Sequence, residues 1–202
     1  TTTLGMFASD LQALRQFFER PWSQVSRKIT QHDQASVLNW TGFRLSALGR
    51  LEESLQPMSA SLQIRTNQCN YDEMGIDLGN LSETSLLMGK IEDAIAYARR
   101  SVQCAFQCRR LMGTVASMTR LAHALDCAGA TNEAGNIFAE TEMNMKLNLQ
   151  LNGSQVSFLC SFDGYRYVQF LLGSGHPGEL LRRCRETIRQ TIRLAGDTPD
   201  VE

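Results

Sequence analysis

Three glycines, Gly49, Gly89 and Gly129, recur at an interval of 40 residues (89 − 49 and 129 − 89) in a chain of 202 residues. Each ends one run of apolar residues at helical spacing and precedes another. Before Gly89 stand Leu78, Leu81 and Ser85, and after it Ile91, Ala94, Ile95 and Ala98. A glycine between two helical patterns marks a left-handed turn, so each unit is predicted to be a helix, a turn and an antiparallel second helix. Small residues keep the same phase. Gly42, Ser82 and Ala122 precede the turn; Ser54, Ala94 and Ala134 follow it, and Ser61, Ser101 and Thr141 come seven later. Small side chains facing each other let two helix backbones approach closely. One such hairpin cannot bury both of its faces, so successive units must stack.

These residues resemble the tetratricopeptide repeat (TPR), whose pattern places a small residue, a Gly turn and further small residues in that order. The usual period is about 34 residues. The 40-residue interval is similar to the longer-helix subclass of kinesin light chains, with Thr66, Phe106 and Lys146 where the repeat usually closes on Pro. The resemblance implies an all-α fold, a right-handed superhelical array of antiparallel helix hairpins that binds protein or peptide. Four pairs are expected, at 33–68, 70–110, 113–148 and 154–195. The fourth is looser: Gly175 lies 46 residues past Gly129 (175 − 129), and Val168 and Leu180 stand at its small positions. The loop Asn152-Gly153-Ser154 absorbs the excess. Residues 1–32 read as a capping helix and linker, with Phe7, Leu11, Leu14 and Phe18 at helical spacing and Pro21-Trp22 closing the helix. Asp33 is the predicted N-cap of the first pair. Residues 196–202 read as a tail.

Composition excludes several classes. Apolar residues make up 43% of the chain, but no uncharged apolar stretch approaches the roughly 20 residues a membrane helix needs. Lys and Arg number 20 against 21 Asp and Glu, which removes any global electrostatic case for nucleic acid. The last helix does carry Arg182, Arg185, Arg189 and Arg193 opposite Leu181, Cys184, Ile188 and Ile192. With Glu179 and Glu186 interspersed, it reads as an outer cap or a helix awaiting another repeat. Six cysteines with no C-x-x-C pair, most of them beside Leu, Phe or Ala, read as buried, reduced cytoplasmic thiols. The chain opens Thr1-Thr2-Thr3 without Met, which suggests a piece of something longer. Arrays similar to this one end some multi-domain signalling ATPases, and the sensor part of such a protein is the alternative reading.

No motif points to catalysis, a cofactor or a metal. Gly173-Ser174-Gly175-His176-Pro177-Gly178 fits G-x-G-x-x-G as a string, but a helix precedes it where a dinucleotide fingerprint needs a strand. Cys104/Cys108 and His123/Cys127 are i,i+4 pairs on adjacent helices. In an antiparallel hairpin, Cys108 and Cys127 fall about 13 Å apart along the axis at 1.5 Å per residue, too far to share one zinc. Carboxylates such as Glu52-Glu53 and Glu92-Asp93 suit helix starts through the dipole and do not converge.

Function therefore rests on the inner face, lined by the first helix of each unit. Counting back from each turn glycine gives Asn39, Trp40 and Phe43; Asn80 and Glu83; Arg120 and His123; and Tyr165, Arg166 and Gln169. By resemblance to peptide-holding TPRs, Asn80, Arg120 and Arg166 are the leading candidates to grip a ligand backbone or carboxylate. Arg offers a planar fork to carboxylates, and Asn can satisfy both polar groups of an extended backbone. The expected ligand is a peptide segment with acidic groups.

Overall fold

A computed structural model describes residues 2–152, 158, 159 and 161–196; the side chains of 2–5, 161, 162, 186, 187 and 190–196 are outside the description. The chain runs α1 (Thr2–Arg15), β1 (Phe18–Arg20), β2 (Gln24–Val25), α2 (Gln31–Ala47), α3 (Leu51–Asn67), α4 (Tyr71–Leu87), α5 (Ile91–Cys108), α6 (Leu111–Cys127), α7 (Thr131–Leu151), α8 (Ser161–Gly173) and α9 (Pro177–Gly196). From α2 onward the helices pair as hairpins, and the hairpins stack in chain order.

The turn glycines do what their spacing implies. Gly49, Gly89, Gly129 and Gly175 have φ of 77°, 73°, 82° and 77°. In each case the next amide donates back across the helix end, as from Arg50 to the Leu45 carbonyl at 2.9 Å and from Lys90 to Ser85 at 2.8 Å. This closes the last turn and satisfies carbonyls that the helix leaves open. The turns between hairpins use Cys69 and Arg109, both with φ of 52°. No such turn interrupts α7, which runs on to Leu151.

Within each pair the small residues set the spacing. A Cβ on Gly42 would lie 2.4 Å from Met58 Cγ and 3.1 Å from the Ser54 carbonyl oxygen, so α2 and α3 touch there with no room for a side chain. Ser82 donates to the Ala94 carbonyl at 2.8 Å at the equivalent point of α4 and α5, and Ala122 and Ala134 are fully buried in the third pair. Gly42→Val should therefore lower stability by about 2 kcal/mol, overpacking outweighing the gain in helix propensity. Urea unfolding would measure it.

The same register builds a polar seam between repeats. Ser61 donates to the Ala35 carbonyl at 2.9 Å and lies 2.8 Å from Asp77 Oδ2, while Asp77 Oδ1 takes Arg65 Nη1 at 2.6 Å. One repeat later Ser101 donates to the Gly75 carbonyl and shares a 2.8 Å bond with Ser117. Ala105 stands where Arg65 stood. An ion pair at one junction is thus replaced by two hydroxyls and an alanine at the next.

The main apolar cluster spans α5 to α8. Phe138 is fully buried and stacks on Tyr167 at 4.9 Å, with Phe170 tilted against it at 5.4 Å. Beside them Arg183 of α9 is 3% exposed, forks onto Glu142 of α7 at 2.5–2.6 Å, and lies 4.4 Å from the Tyr167 ring centre.

Five expectations need correcting. The cysteines are not uniformly buried: among the described ones Cys104 is buried and Cys108 partly so, but Cys69, Cys127 and Cys184 are exposed. The predicted capping helix is too long: Phe18 pairs with Val25 in the short β1–β2 hairpin and is buried there, so the helix ends at Arg15 before Pro21-Trp22 is reached. Trp22 lies in the hairpin turn with φ of 59° and packs edge-on against Phe18. Thr30, not Asp33, is the N-cap of α2: its hydroxyl accepts from the Asp33 amide at 3.1 Å and donates to the Asp33 carboxylate at 2.6 Å. The eighth helix begins at Ser161, not 154, because Phe158 and Leu159 are non-helical. Gly153 and Ser154 of the expected loop lie outside the described residues. On α9, Leu181, Cys184 and Ile188 are exposed along with Arg182, Arg185 and Arg189, while Arg183 is buried, so the expected apolar row does not face the array; the side chains of Ile192 and Arg193 lie outside the description.

Candidate functional site

The first helices pack on one another in sequence, α2 on α4, α4 on α6 and α6 on α8, whereas the second helices do not pack together to a comparable extent among the described residues. The shorter path between first helices makes theirs the inner side of the stack. Positions three or four apart on a helix share a face. The inner face therefore carries Trp40 and Phe43 on α2, Asn80 and Glu83 on α4, Arg120 and His123 on α6, and Tyr165, Arg166 and Gln169 on α8.

At the N-terminal end, Trp40 is 53% exposed and the Arg44 guanidinium lies over its ring at 4.2 Å. Phe43 meets Phe7 of α1 edge-on at 6.1 Å, and Arg44 also pairs with Asp10 of α1 at 3.1 Å. So α1 covers part of this end, and Arg44 covers one face of Trp40 while the rest of that ring stays exposed. Asn39 is only 8% exposed and accepts from Asn80 Nδ2 at 3.0 Å, tying the first two repeats together. Asn39 is thus a buried bridge, and one donor of Asn80 is committed to it.

The centre is charged. Arg120 Nε donates to Glu83 Oε1 at 3.0 Å, and Arg166 Nη2 donates to the same oxygen. Arg166 Nη1 reaches Asp163 Oδ1 at 3.1 Å, and Asp163 also accepts from Thr119 at 2.6 Å. Gly79 makes room for this: a Cβ there would lie 3.0–3.1 Å from the Arg120 side chain. His123 is half-buried nearby. Burial first, and Arg166 next, hold its pKa below the ordinary value against the pull of Glu83 and Asp126, which favours the neutral ring. Past it, Gln169 donates to the Tyr165 hydroxyl at 3.0 Å, and Tyr165 is 60% exposed. Beside Arg120 a cleft opens between α4, α5 and α6, with Ile76 and Met112 as exposed lips and Gly75 and Gly113 hollowing its floor.

Two solved structures of nearly identical TPR-like repeats from Podospora anserina, in a chain described as a kinesin light chain, superpose on this one. The TM-score is 0.63 for both, with 13% identity; one match covers 94% of this chain and 87% of the other, the second 96% and 90%. The fold is a TPR-like helical-repeat array. No family model matches the sequence, and no curated protein does. At 13% identity the likeness concerns the backbone arrangement and says nothing of the side chains in the groove.

Three contributors to the groove of this TPR-like array were not among the sequence candidates. Asp163 stands 46 residues after Ser117, in the phase of the looser fourth unit, and that offset was its only signal. Gly79 adjoins Asn80, but its steric role requires knowing where Arg120 reaches. Arg44 sits one position past Phe43 and shields the Trp40 face. Among the described residues no group of three or more His, Cys, Asp or Glu is placed to hold a metal, and no helix is long and apolar enough to cross a membrane.

Proposed function

We propose that this chain is a non-enzymatic recognition module that holds an extended protein segment bearing acidic groups along the inner face of α2, α4, α6 and α8. The observation that carries this reading is the convergence of Arg120 and Arg166, from successive repeats, beside open aromatic and apolar side chains. TPR-like stacks present such surfaces to partners as a rule. Guanidinium forks match carboxylates, Trp40 and Tyr165 offer amphipathic faces, and the Ile76–Met112 cleft offers apolar area for a neighbouring side chain. We place the module in the cytoplasm, where its thiols stay reduced.

An array of immobilised acidic peptides, each beside a counterpart with Asp and Glu amidated to Asn and Gln, tests the proposal. The wild-type chain should retain acidic members over their amide counterparts. Arg120→Ala combined with Arg166→Ala should lower that retention about tenfold or more, with the helical content and a cooperative melt retained, the size expected for losing two charge-assisted contacts. Equal retention of acidic and amidated peptides, or by the double variant, would contradict it.

A further inference from the structure

The two guanidiniums offered to an acidic ligand are already engaged by one atom of the chain itself. Glu83 Oε1 accepts from Arg120 Nε at 3.0 Å and from Arg166 Nη2, joining α4 to both α6 and α8. We infer that Glu83 is a built-in occupant of the groove's carboxylate site, and that an acidic group of a bound segment enters by taking its place between Arg120 and Arg166. The inference rests on the reading of the groove as a binder of acidic segments.

The surroundings favour displacement over a purely structural role. Glu83 is the most open member of the cluster, its side chain 33% exposed against 20% for Arg120, 12% for Arg166 and 18% for Asp163. Its counterparts in the other repeats are Phe43, His123 and Gln169, so an acid is not needed at this position for the hairpins to stack. The junctions it spans are already packed through fully or nearly fully buried Leu78, Leu81, Ala122 and Leu125. Arg166 keeps an anchor without it, and Arg120 keeps the space it lies in. Asp163, fixed by Thr119, still holds Arg166 from the other side, and Gly79 still makes room for Arg120.

Charge sets the selectivity. With Glu83 in place, two arginines face two carboxylates and the site is neutral; with Glu83 swung out, two cations face only Asp163, a local charge of +1. Exchanging one carboxylate for another gains little Coulomb energy, so a singly charged, isolated acid binds weakly. A group with more charge on one centre, or two acids in succession, displaces Glu83 better. The internal ion pair thus acts as a threshold against weakly acidic segments, which is specificity by competition.

Inorganic phosphate isolates this site from the rest of the groove. Phosphate would be titrated into the wild-type chain, Glu83→Gln and Glu83→Asp, following the arginine Nε–Hε NMR signals. Glu83→Gln should half-saturate at about three- to fivefold lower phosphate than wild type, with shifts at Arg120 and Arg166, as expected for removing a partly exposed competing carboxylate. Glu83→Asp keeps the charge, shortens the reach and should fall between them, so it decides the matter if the glutamine variant does not fold. Adding Arg166→Ala to Glu83→Gln should abolish the gain. Equal phosphate affinity in wild type and variants, or tighter binding with shifts elsewhere, would overturn the assignment. If Glu83→Gln gains phosphate while the peptide array shows no acid preference, the acidic-segment reading fails and the occupancy of the site by Glu83 stands.

Discussion

Arg65→Ala should destabilise the chain by about 3–5 kcal/mol, the cost of stripping one partner from a buried ion pair. Arg65 is 3% exposed and Asp77 fully buried, joined at 2.6 Å, and Arg65 also reaches Glu73 at 2.6 Å. Without Arg65 the carboxyl of Asp77 keeps only Ser61 in the seam. The next junction shows what a balanced replacement looks like, because Ala105 and Ser117 stand in the places of Arg65 and Asp77. Arg65→Ala with Asp77→Ser should therefore recover about half of the loss, and a double-mutant cycle should give a coupling of about 1.5 kcal/mol or more. Strict additivity of the two single changes in urea unfolding would contradict this account of the seam.

Asp77 also predicts a pH dependence. Burial raises its pKa to about 7, outweighing the downward pull of Arg65 and Ser61. An unfolded aspartate titrates near pH 4, so between about 4 and 7 the folded chain holds a proton that the unfolded chain has released. The contribution of this group is therefore largest below about pH 4, falls as pH rises to about 7, and is level above it. Thermal melts from pH 4 to 8 should show that decline in wild type and lack it in the Arg65→Ala, Asp77→Ser variant. An identical slope in both would assign the effect to other groups.

Phe138→Ala should cost about 3–5 kcal/mol, the range for truncating a fully buried aromatic ring. Its ring lies against Tyr167 and Phe170, so removal opens a void at the junction of the third and fourth pairs and loses two aromatic contacts. Repeat stacks are stabilised by nearest neighbours, so the loss should fall on α7, α8 and α9 and spare α2 to α5. Hydrogen exchange resolved along the chain would check both points. Uniform loss of protection from α2 to α9 would show that the array unfolds as one unit.

The turns were legible because a positive φ there suits only glycine cheaply, and the hairpins because paired small residues leave a regular trace. Three features left no such trace. Phe18 continues the helical phase of Phe7, Leu11 and Leu14, and strands of three and two residues are too short to show alternation, so the hairpin read as helix. Thr30 and Asp33 both suit a helix start, and only the bonds between them show which is the cap. The pairings of Glu83 with Arg120 and Arg166 span 37 and 83 residues and depend on the stagger of successive repeats. Register places those side chains on one face; it does not say that they neutralise one another.

The position of a bound acidic peptide tests the central claim most directly. Backbone amide shifts recorded while a retained peptide is added should concentrate on the inner face, around Trp40, Asn80, Glu83, Arg120, His123 and Arg166. Shifts confined to α9, or to the outer faces of α5 and α7, would place the binding surface elsewhere and contradict the account.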